Sequence, residues 1–262
     1  MYGRYENLKV ERRGAALWLT IDNPPMNSAG QAHADLASIF REISRDPETR
    51  VVVLTGAGDR AFSAGGNPTA MQETVSKTAG WLRGMPEARD IILGILECDR
   101  PIIARINGHA IGAGCSLALA CDITVMVDSA KIADTHVKVG LAAGDGGSLL
   151  WPHLVGLVKA RRYLLTGDML TGREAAEIGL VTEAVPRQQL DERVQDWVDR
   201  FASGASRAIG YTKRALNSAI RQEGQAHMDA SLGLETLSFL SEDHLEGLKA
   251  FSEGRSPVFK GS

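Results

Sequence analysis

Three clusters of glycine each follow an apolar segment, and their backbone amides could hold a negatively charged oxygen. They occupy residues 61–67 (AFSAGGN), 107–114 (NGHAIGAG) and 140–147 (GLAAGDGG). Glycine supplies 28 of the 262 residues, about 11%, against about 7% in average proteins. Without a Cβ atom, such a loop lets its N–H groups approach a ligand, and a following helix directs its positive end there. The clusters predict an anion or oxyanion site; the alternative is that they only form turns and tight packing.

The clusters do not match the glycine loops that bind nucleotides. Leu117 stands where a dinucleotide fingerprint starting at Gly112 needs its third glycine, and no Gly-Lys-Ser/Thr sequence occurs. The segment 61–65 nearly matches the Gly-x-Ser-x-Gly turn of serine hydrolases, with Ser63 as the nucleophile. That turn should follow a strand directly, whereas residues 56–60 intervene here. A serine hydrolase is therefore kept as an alternative.

Composition and charge favour a globular protein of the cytoplasm. Hydrophobic residues make up 44% and charged residues 23% of the chain. The net charge of −3, from 29 basic and 32 acidic residues, gives no electrostatic reason to expect nucleic acid or an anionic membrane as the partner. The three cysteines show neither a disulfide framework nor a Cys-x-x-Cys spacing. We expect a cytoplasmic protein without a signal peptide or membrane span, and no metal, because no cluster has metal-ligand spacing.

The elements that must position the glycine clusters alternate between strands and helices. A hairpin is predicted around Gly14, and a helix over 31–43 is followed by a buried strand over 51–54. A helix over 91–96, a strand over 101–106, a helix over 112–120 and a strand over 123–127 continue the alternation. This order predicts an α/β layered fold.

After Gly156 the spacing of apolar residues becomes helical and strand signals are few. The predicted helical stretches are 161–165, 173–178, 190–201, 205–220 and much of 222–251. We therefore divide the chain into a core over residues 1–190 and a C-terminal helical region over residues 191–262.

Taken in order, the motifs resemble the enoyl-CoA hydratase/isomerase, or crotonase, family. The matching segments are FSAGGN at 62–67, PIIARINGHAIGAGC at 101–115, CDI at 121–123, LLTGD at 164–168 and AAEIGLV at 175–181. The resemblance runs almost from end to end of the chain. It implies a crotonase-like (ββα)n spiral core that carries an acyl-CoA site, with a C-terminal helical region that serves in oligomerisation. Members are usually homotrimers or dimers of trimers.

The resemblance also implies a chemistry for the glycine loops. In this family two backbone N–H groups hold the thioester oxygen of an acyl-CoA and stabilise the enolate that forms there. By position, the two donors here are Gly66 and Ala113. Coenzyme A is part of the substrate, so no separate cofactor is expected.

Six further residues are candidates for substrate binding by the same resemblance. Met26 and the loop of Ala64, Gly65 and Asn67 correspond to parts that contact the coenzyme A arm. Phe251 resembles a C-terminal aromatic residue that packs on the adenine of a neighbouring subunit. The sixth, Ser116, stands at the position of one catalytic glutamate of ordinary hydratases, where it either bonds the substrate or only packs.

His136 stands at the position of the second glutamate, so neither standard carboxylate is present. Asp145 lies nine residues further, where several relatives keep a catalytic carboxylate. A carboxylate that orients an imidazole fixes its tautomer and raises its basicity. We therefore predict His136 and Asp145 as a catalytic pair; the alternative for Asp145 is that it caps a helix starting at Gly146.

The sequence thus predicts an enzyme that acts on an acyl-CoA thioester through an enolate, of the enoyl-CoA hydratase/isomerase type. Two alternatives stay open besides the serine hydrolase. The spacing of His136 and Asp145 resembles that of β-diketone hydrolases of this superfamily, which cleave carbon–carbon bonds. The missing glutamates also fit a non-catalytic member that binds coenzyme A or RNA.

Overall fold

The computed structural model describes residues 2–66 and 78–262, which form ten strands and nine helices. The strands are β1 (Lys9–Arg13), β2 (Ala16–Ile21), β3 (Val51–Gly56), β4 (Ala61–Ser63), β5 (Ile102–Ile106), β6 (His109–Ile111), β7 (Ile123–Val127), β8 (Lys131–Ala133), β9 (Leu170–Thr171) and β10 (Glu183–Val185). The helices are α1 (His33–Arg45), α2 (Thr78–Glu97), α3 (Ala113–Leu119), α4 (Gly147–Thr166), α5 (Gly172–Glu177), α6 (Leu190–Ser203), α7 (Ser206–Leu216), α8 (Ser218–Phe239) and α9 (Glu242–Glu253).

The larger sheet has the order β1-β2-β3-β5-β7-β10. The predicted hairpin is present, since β1 and β2 pair antiparallel and Gly14 between them has a φ of +59°. The other neighbours pair parallel. All six residues of β3 are buried, as expected for a parallel strand covered on both faces.

The smaller sheet has the order β4-β6-β8-β9. Each of its first three strands follows a strand of the larger sheet along the chain, so β3–β4, β5–β6 and β7–β8 are successive turns of one spiral. Strands β4, β6 and β8 are parallel neighbours. Their C-terminal ends therefore lie side by side, which confirms the (ββα)n core and brings the segments that follow these strands together.

One prediction about the C-terminal half is wrong in detail. The helix predicted over 205–220 is interrupted at Asn217, whose side-chain amide donates to the carbonyl of Leu96 at 3.1 Å. The region also contains β9 and β10, which are too short, at two and three residues, to show an alternating pattern. The stretch predicted over 222–251 divides at Ser241, which caps α9 by accepting from the His244 amide.

The helical region begins at Leu190, and it is not separate from the spiral core. Met228 and Leu232 of α8 are buried in the same apolar cluster as β3 and α3. Helix α8 can therefore place polar side chains next to the ends of the short strands. Among the described residues, no helix is long and apolar enough to span a membrane.

Candidate active site

The backbone after β4 lies directly beside the start of α3. Gly65 has a φ of +68°, and a Cβ atom placed on it would lie 2.8 Å from the Ala113 nitrogen. Ala113 is the first residue of α3, where an amide has no acceptor within its own helix. Only glycine at position 65 leaves room in front of that N–H group. The structure thus brings the two predicted donors, Gly66 and Ala113, into neighbouring segments.

A third segment, which includes Met26, holds the Gly65 loop in place. The amide of Ala64 donates to the carbonyl of Met26 at 3.0 Å. The carbonyl of Gly65 accepts from the Ala29 amide at 3.1 Å and from the Ser28 hydroxyl at 2.9 Å. Three of the predicted substrate-binding residues, Met26, Ala64 and Gly65, are therefore adjacent.

Two other predicted residues are not part of this arrangement. Asn67 lies outside the described residues. Phe251 is 62% exposed on α9, so its predicted contact with a neighbouring subunit stays a prediction. Ser63 is fully buried, and its hydroxyl accepts from the Gly65 amide at 3.2 Å, which is a loop-stabilising contact.

His136 is held between two carboxylates just beyond β8. Its Nδ1 lies 2.6 Å from Oδ1 of Asp134, and its Nε2 lies 3.3 Å from Oδ2 of Asp145. The ring also lies against Gly112, where a Cβ atom would be 3.8 Å from Nε2. The imidazole is therefore next to the residue that precedes the amide of Ala113.

Asp145 is not a helix cap. Helix α4 begins at Gly147, its N-cap is Gly146 with a φ of +132°, and no side chain caps it. Asp145 instead turns inward, where Oδ1 accepts from the Ser116 hydroxyl at 2.9 Å. Ser116 is 1% exposed, and the hydrogen-bond partner of its hydroxyl in the structure is Asp145.

The electrostatics of the pair favour an ion pair. Burial alone would lower the pKa of His136, but the carboxylates of Asp145 and Asp134 outweigh it and hold that pKa well above its usual value. Burial would raise the pKa of Asp145, and the charge and hydrogen bond of His136 outweigh this and lower it. At neutral pH the site therefore holds an imidazolium between two carboxylates.

A fourth ionisable group, Glu235 of α8, was not predicted from the sequence. It is 3% exposed, and its Oε1 lies 4.0 Å from Nε2 of His136. Burial, followed by the charge of Asp145, raises the pKa of Glu235 to about 8. A carboxyl group in this surrounding is neutral at pH 7.

Helix α8 also holds the third glycine loop. The hydroxyl of Ser231 donates to the carbonyl of Gly144 at 2.7 Å, and the hydroxyl of Ser238 accepts from the Ala142 amide at 2.9 Å. Ser231, Glu235 and Ser238 are spaced four and three residues apart, so they share one helix face. The sequence signal for Glu235 is an acidic residue on the same helical spacing as the buried Met228 and Leu232. Asp134 was not predicted from the sequence, because its only signal is its position two residues before His136.

A small cavity of about 20 Å³ adjoins the site. Its wall contains Ala113 and Asp145, and otherwise consists of Ala29 and apolar residues of α1, α2 and α3, with His33 as the exception. His33 lies 3.3 Å from a carboxylate oxygen of Glu87. A cavity of this size holds about one water molecule. One predicted oxyanion donor, Ala113, and one member of the predicted acid–base pair, Asp145, therefore line the same cavity.

Asp134, His136 and Asp145 also offer three ligand atoms within 4.8 Å of one another. Both ring nitrogens of His136, however, face carboxylates at hydrogen-bonding or ion-pair distance. A protonated imidazole has no lone pair for a metal ion. This geometry fits an ion pair better than a ligand set, and the absence of a metal stays a prediction.

Comparisons with known proteins agree with this architecture. The sequence model of the family described as enoyl-CoA hydratase/isomerase matches residues 11–262. An (E)-benzylidenesuccinyl-CoA hydratase of Thauera aromatica is 35% identical over 252 residues, which cover 94% of this chain and 95% of the relative. A carnitinyl-CoA dehydratase of Citrobacter koseri is 33% identical over 265 residues, covering 98% and 99% of the two chains.

Solved structures show the same fold. The crystal structure of an enoyl-CoA hydratase/isomerase from Mycobacterium paratuberculosis is 34% identical, with a TM-score of 0.87, and the match covers 93% of this chain and 97% of that one. An enoyl-CoA hydratase from Mycobacterium avium subsp. paratuberculosis is 28% identical with a TM-score of 0.88, covering 97% and 98%. The chain therefore belongs to the enoyl-CoA hydratase/isomerase, or crotonase, family and is an enzyme of the acyl-CoA hydratase/dehydratase type.

Proposed function

We propose that the enzyme adds water to, or removes it from, an acyl-CoA thioester, with His136 and Asp145 in place of the usual two glutamates. The observation that carries the proposal is the imidazole of His136, held between Asp134 and Asp145 beside the start of α3. The amides of Gly66 and Ala113 are the proposed donors to the thioester oxygen. Preorganised donors at such a position are typically worth about 2.7–4 kcal/mol each.

The proton transfers of hydration balance within this pair. The oxygen of water bonds to the β-carbon and its proton passes to the carboxylate of Asp145, while the electron pair of the double bond moves to the thioester oxygen. His136 then protonates the α-carbon as the carbonyl re-forms. The proton on Asp145 returns to Nε2 of His136, 3.3 Å away. Dehydration is the reverse sequence.

Asp134 and Ser116 support these steps without exchanging protons with the substrate. Asp134 fixes the ring of His136 through Nδ1, and this leaves Nε2 on the side of Asp145. The hydroxyl of Ser116 donates to the other oxygen of Asp145. Orientation of an imidazole by a buried carboxylate is a recurrent device in acid–base catalysis.

A second candidate reaction is the hydrolytic cleavage of a β-dicarbonyl carbon–carbon bond. The pairing of His136 with Asp145, without a carboxylate on α3, favours it as the alternative. Here water, deprotonated by the pair, attacks a carbonyl carbon, and the enolate that leaves is protonated by the same pair. The two reactions share the catalytic groups and differ in the substrate.

A panel of enoyl-, dienoyl- and β-ketoacyl-CoA thioesters, read by mass spectrometry, distinguishes them. We expect a product heavier by one water from an enoyl-CoA, and a loss of turnover of about 10²- to 10⁴-fold in His136→Gln. The matched control is His153→Gln, because His153 forms an exposed pair with Glu223 on the surface. A shorter carboxylic acid together with acetyl-CoA, formed from a β-ketoacyl-CoA, would establish cleavage instead. Unchanged turnover in His136→Gln would refute both assignments.

The remaining expectations are part of the same proposal. The substrate is an acyl-CoA thioester that brings its own coenzyme A, the assembly is a homotrimer or dimer of trimers, and the protein acts in the cytoplasm. Light scattering of the purified protein measures the assembly. The net charge of −3 argues against RNA as the partner.

A further inference from the structure

Glu235 is buried against the catalytic pair, and one of its two carboxyl oxygens has no hydrogen-bond partner among the described residues. Its Oε2 has no hydrogen-bond partner among residues 2–66 and 78–262. The side chain packs on Gly144, where a Cβ atom would lie 2.8 Å from Oε2. A buried polar atom without a partner calls for an explanation, because leaving it so costs about 1–3 kcal/mol.

The charges around Glu235 decide its state. The titratable groups that face it among the described residues are Asp145, His136 and Asp134. Two further histidines face these groups. The charge of His33 on α1 contributes to lowering the pKa of Asp145, and the charge of His136 contributes to lowering the pKa of His244 on α9. Two carboxylates and one imidazolium sum to a single negative charge, and ionisation of Glu235 would add a second one in a buried space. Burial and the carboxylate of Asp145 oppose that ionisation.

A second negative charge would also alter the chemistry. It would stand 4.0 Å from Nε2 of His136 and would bind the imidazolium proton more tightly. A nearby opposite charge favours the charged form of a group by about one to three pKa units. It would also repel the enolate oxygen that the proposed reaction builds up.

We propose that Glu235 is a positioning residue that acts as a neutral carboxylic acid. It packs against the buried side of the cluster formed by Asp134, His136 and Asp145 without adding a charge. This inference rests on the proposed role of His136 as the proton donor. Glu235 supplies shape and polarity, while its missing charge leaves the proton of His136 free to move to the substrate.

Nuclear magnetic resonance of the resting protein tests this without a substrate. Labelling glutamate carboxyl carbons and histidine rings with ¹³C, and assigning signals from Glu235→Gln and His136→Gln, gives the titration of both groups. We expect Glu235 to remain protonated at pH 7. At pH 7 His136 should therefore carry its proton to the same extent in Glu235→Gln as in the wild type. Above about pH 8 wild-type Glu235 ionises and stabilises the imidazolium, so His136 should lose its proton about one to three pH units lower in Glu235→Gln.

Matched variants keep the test decisive. Glu223→Gln makes the same change on the exposed end of α8 and should leave the titration of His136 unchanged. Glu235→Met is a second neutral variant of similar length for the case in which the glutamine does not fold. Ionised Glu235 at pH 7, or a protonation of His136 at pH 7 that differs between both neutral variants and the wild type, would overturn the proposal. Failure of the proposed reaction would appear instead in the thioester panel, with these titrations as expected.

Discussion

The glycine loops of the core and the long helix α8 contribute to the site in opposite ways. The loops offer backbone amides, and the glycine at position 65 is needed because its φ is +68° and a side chain would meet the Ala113 amide. Helix α8 offers a side chain, Glu235, from 90 residues beyond Asp145 in the chain (235 − 145). The amide donors depend on backbone conformation, while the proton chemistry depends on charges that tertiary packing brings together.

The largest effect is expected from removing the charge of Asp145. Asp145→Asn keeps the size of the side chain but removes the acceptor of the proton and the partner of His136. Turnover should fall by about 10²- to 10⁴-fold. Asp229→Asn is the control, because Asp229 is an exposed residue of α8 that pairs with Arg89 of α2. Turnover within a few-fold of the wild type in a folded Asp145→Asn would place the acid–base chemistry elsewhere.

A slightly smaller effect is expected from removing one amide donor. Ala113→Pro takes away an N–H group at the first position of a helix, where proline is tolerated. Loss of one such donor typically costs about 10²- to 10³-fold in turnover. Glu242→Pro makes the same change at the first position of α9 and should leave turnover unchanged. Equal kinetics for the two variants would remove Ala113 from the donor pair.

The loop that faces Ala113 can be tested by adding one methyl group. Gly65→Ala would place a Cβ atom 2.8 Å from the Ala113 nitrogen and displace the thioester oxygen, for which we expect a loss of about 10²-fold. Gly58→Ala is the control for strain, because Gly58 has a φ of +66° but nothing within 4 Å of its Cβ position. Both variants carry the cost of a positive φ, Gly65→Ala carries the backbone clash in addition, and only Gly65→Ala should lose activity. Similar losses of activity would show that strain alone is responsible.

The smallest effect concerns stability, and it tests the α8 side of the comparison. The pKa of Glu235 is about 8 in the folded protein, above its value in an unfolded chain, so the folded state binds more protons between those values. The free energy of unfolding therefore falls as the pH rises through that window. His136, whose pKa is also raised, contributes a fall in the same direction above its unfolded pKa.

Urea unfolding at pH 6 and pH 9 isolates the contribution of Glu235. Glu235→Gln cannot ionise, so its stability relative to the wild type should increase with pH, by on the order of a few kcal/mol. Glu223→Gln should show no such trend. A constant difference between Glu235→Gln and the wild type would mean that burial does not perturb Glu235.

The fold could be anticipated from local patterns to a large extent. The buried run at Val51–Gly56 and the glycine turn at Gly14 appear in the structure where the sequence predicts them. The break at Asn217 could not be anticipated, because it depends on a hydrogen bond to Leu96, 121 residues away in the chain. The strands β9 and β10 exist through pairing with β8 and β7 rather than through a pattern of their own.

The candidate site divides in the same way. His136 and Asp145 were predicted by position in the family pattern, and the structure places Nε2 of His136 3.3 Å from Oδ2 of Asp145. Asp134 and Glu235 carry no pattern of that kind. Glu235 acquires its neutral state only from burial beside Asp145, which is a property of the folded chain. The charge balance of such a site has to be read from tertiary structure.

The central claim is that His136 moves the proton of a thioester enolate, and exchange at the α-carbon tests it most directly. Butyryl-CoA is incubated in D₂O with the wild type or with His136→Gln, and deuterium at the α-carbon is followed by mass spectrometry. We expect exchange with the wild type and a rate at least about 100-fold lower with His136→Gln. Exchange at the wild-type rate in the folded variant would contradict the claim.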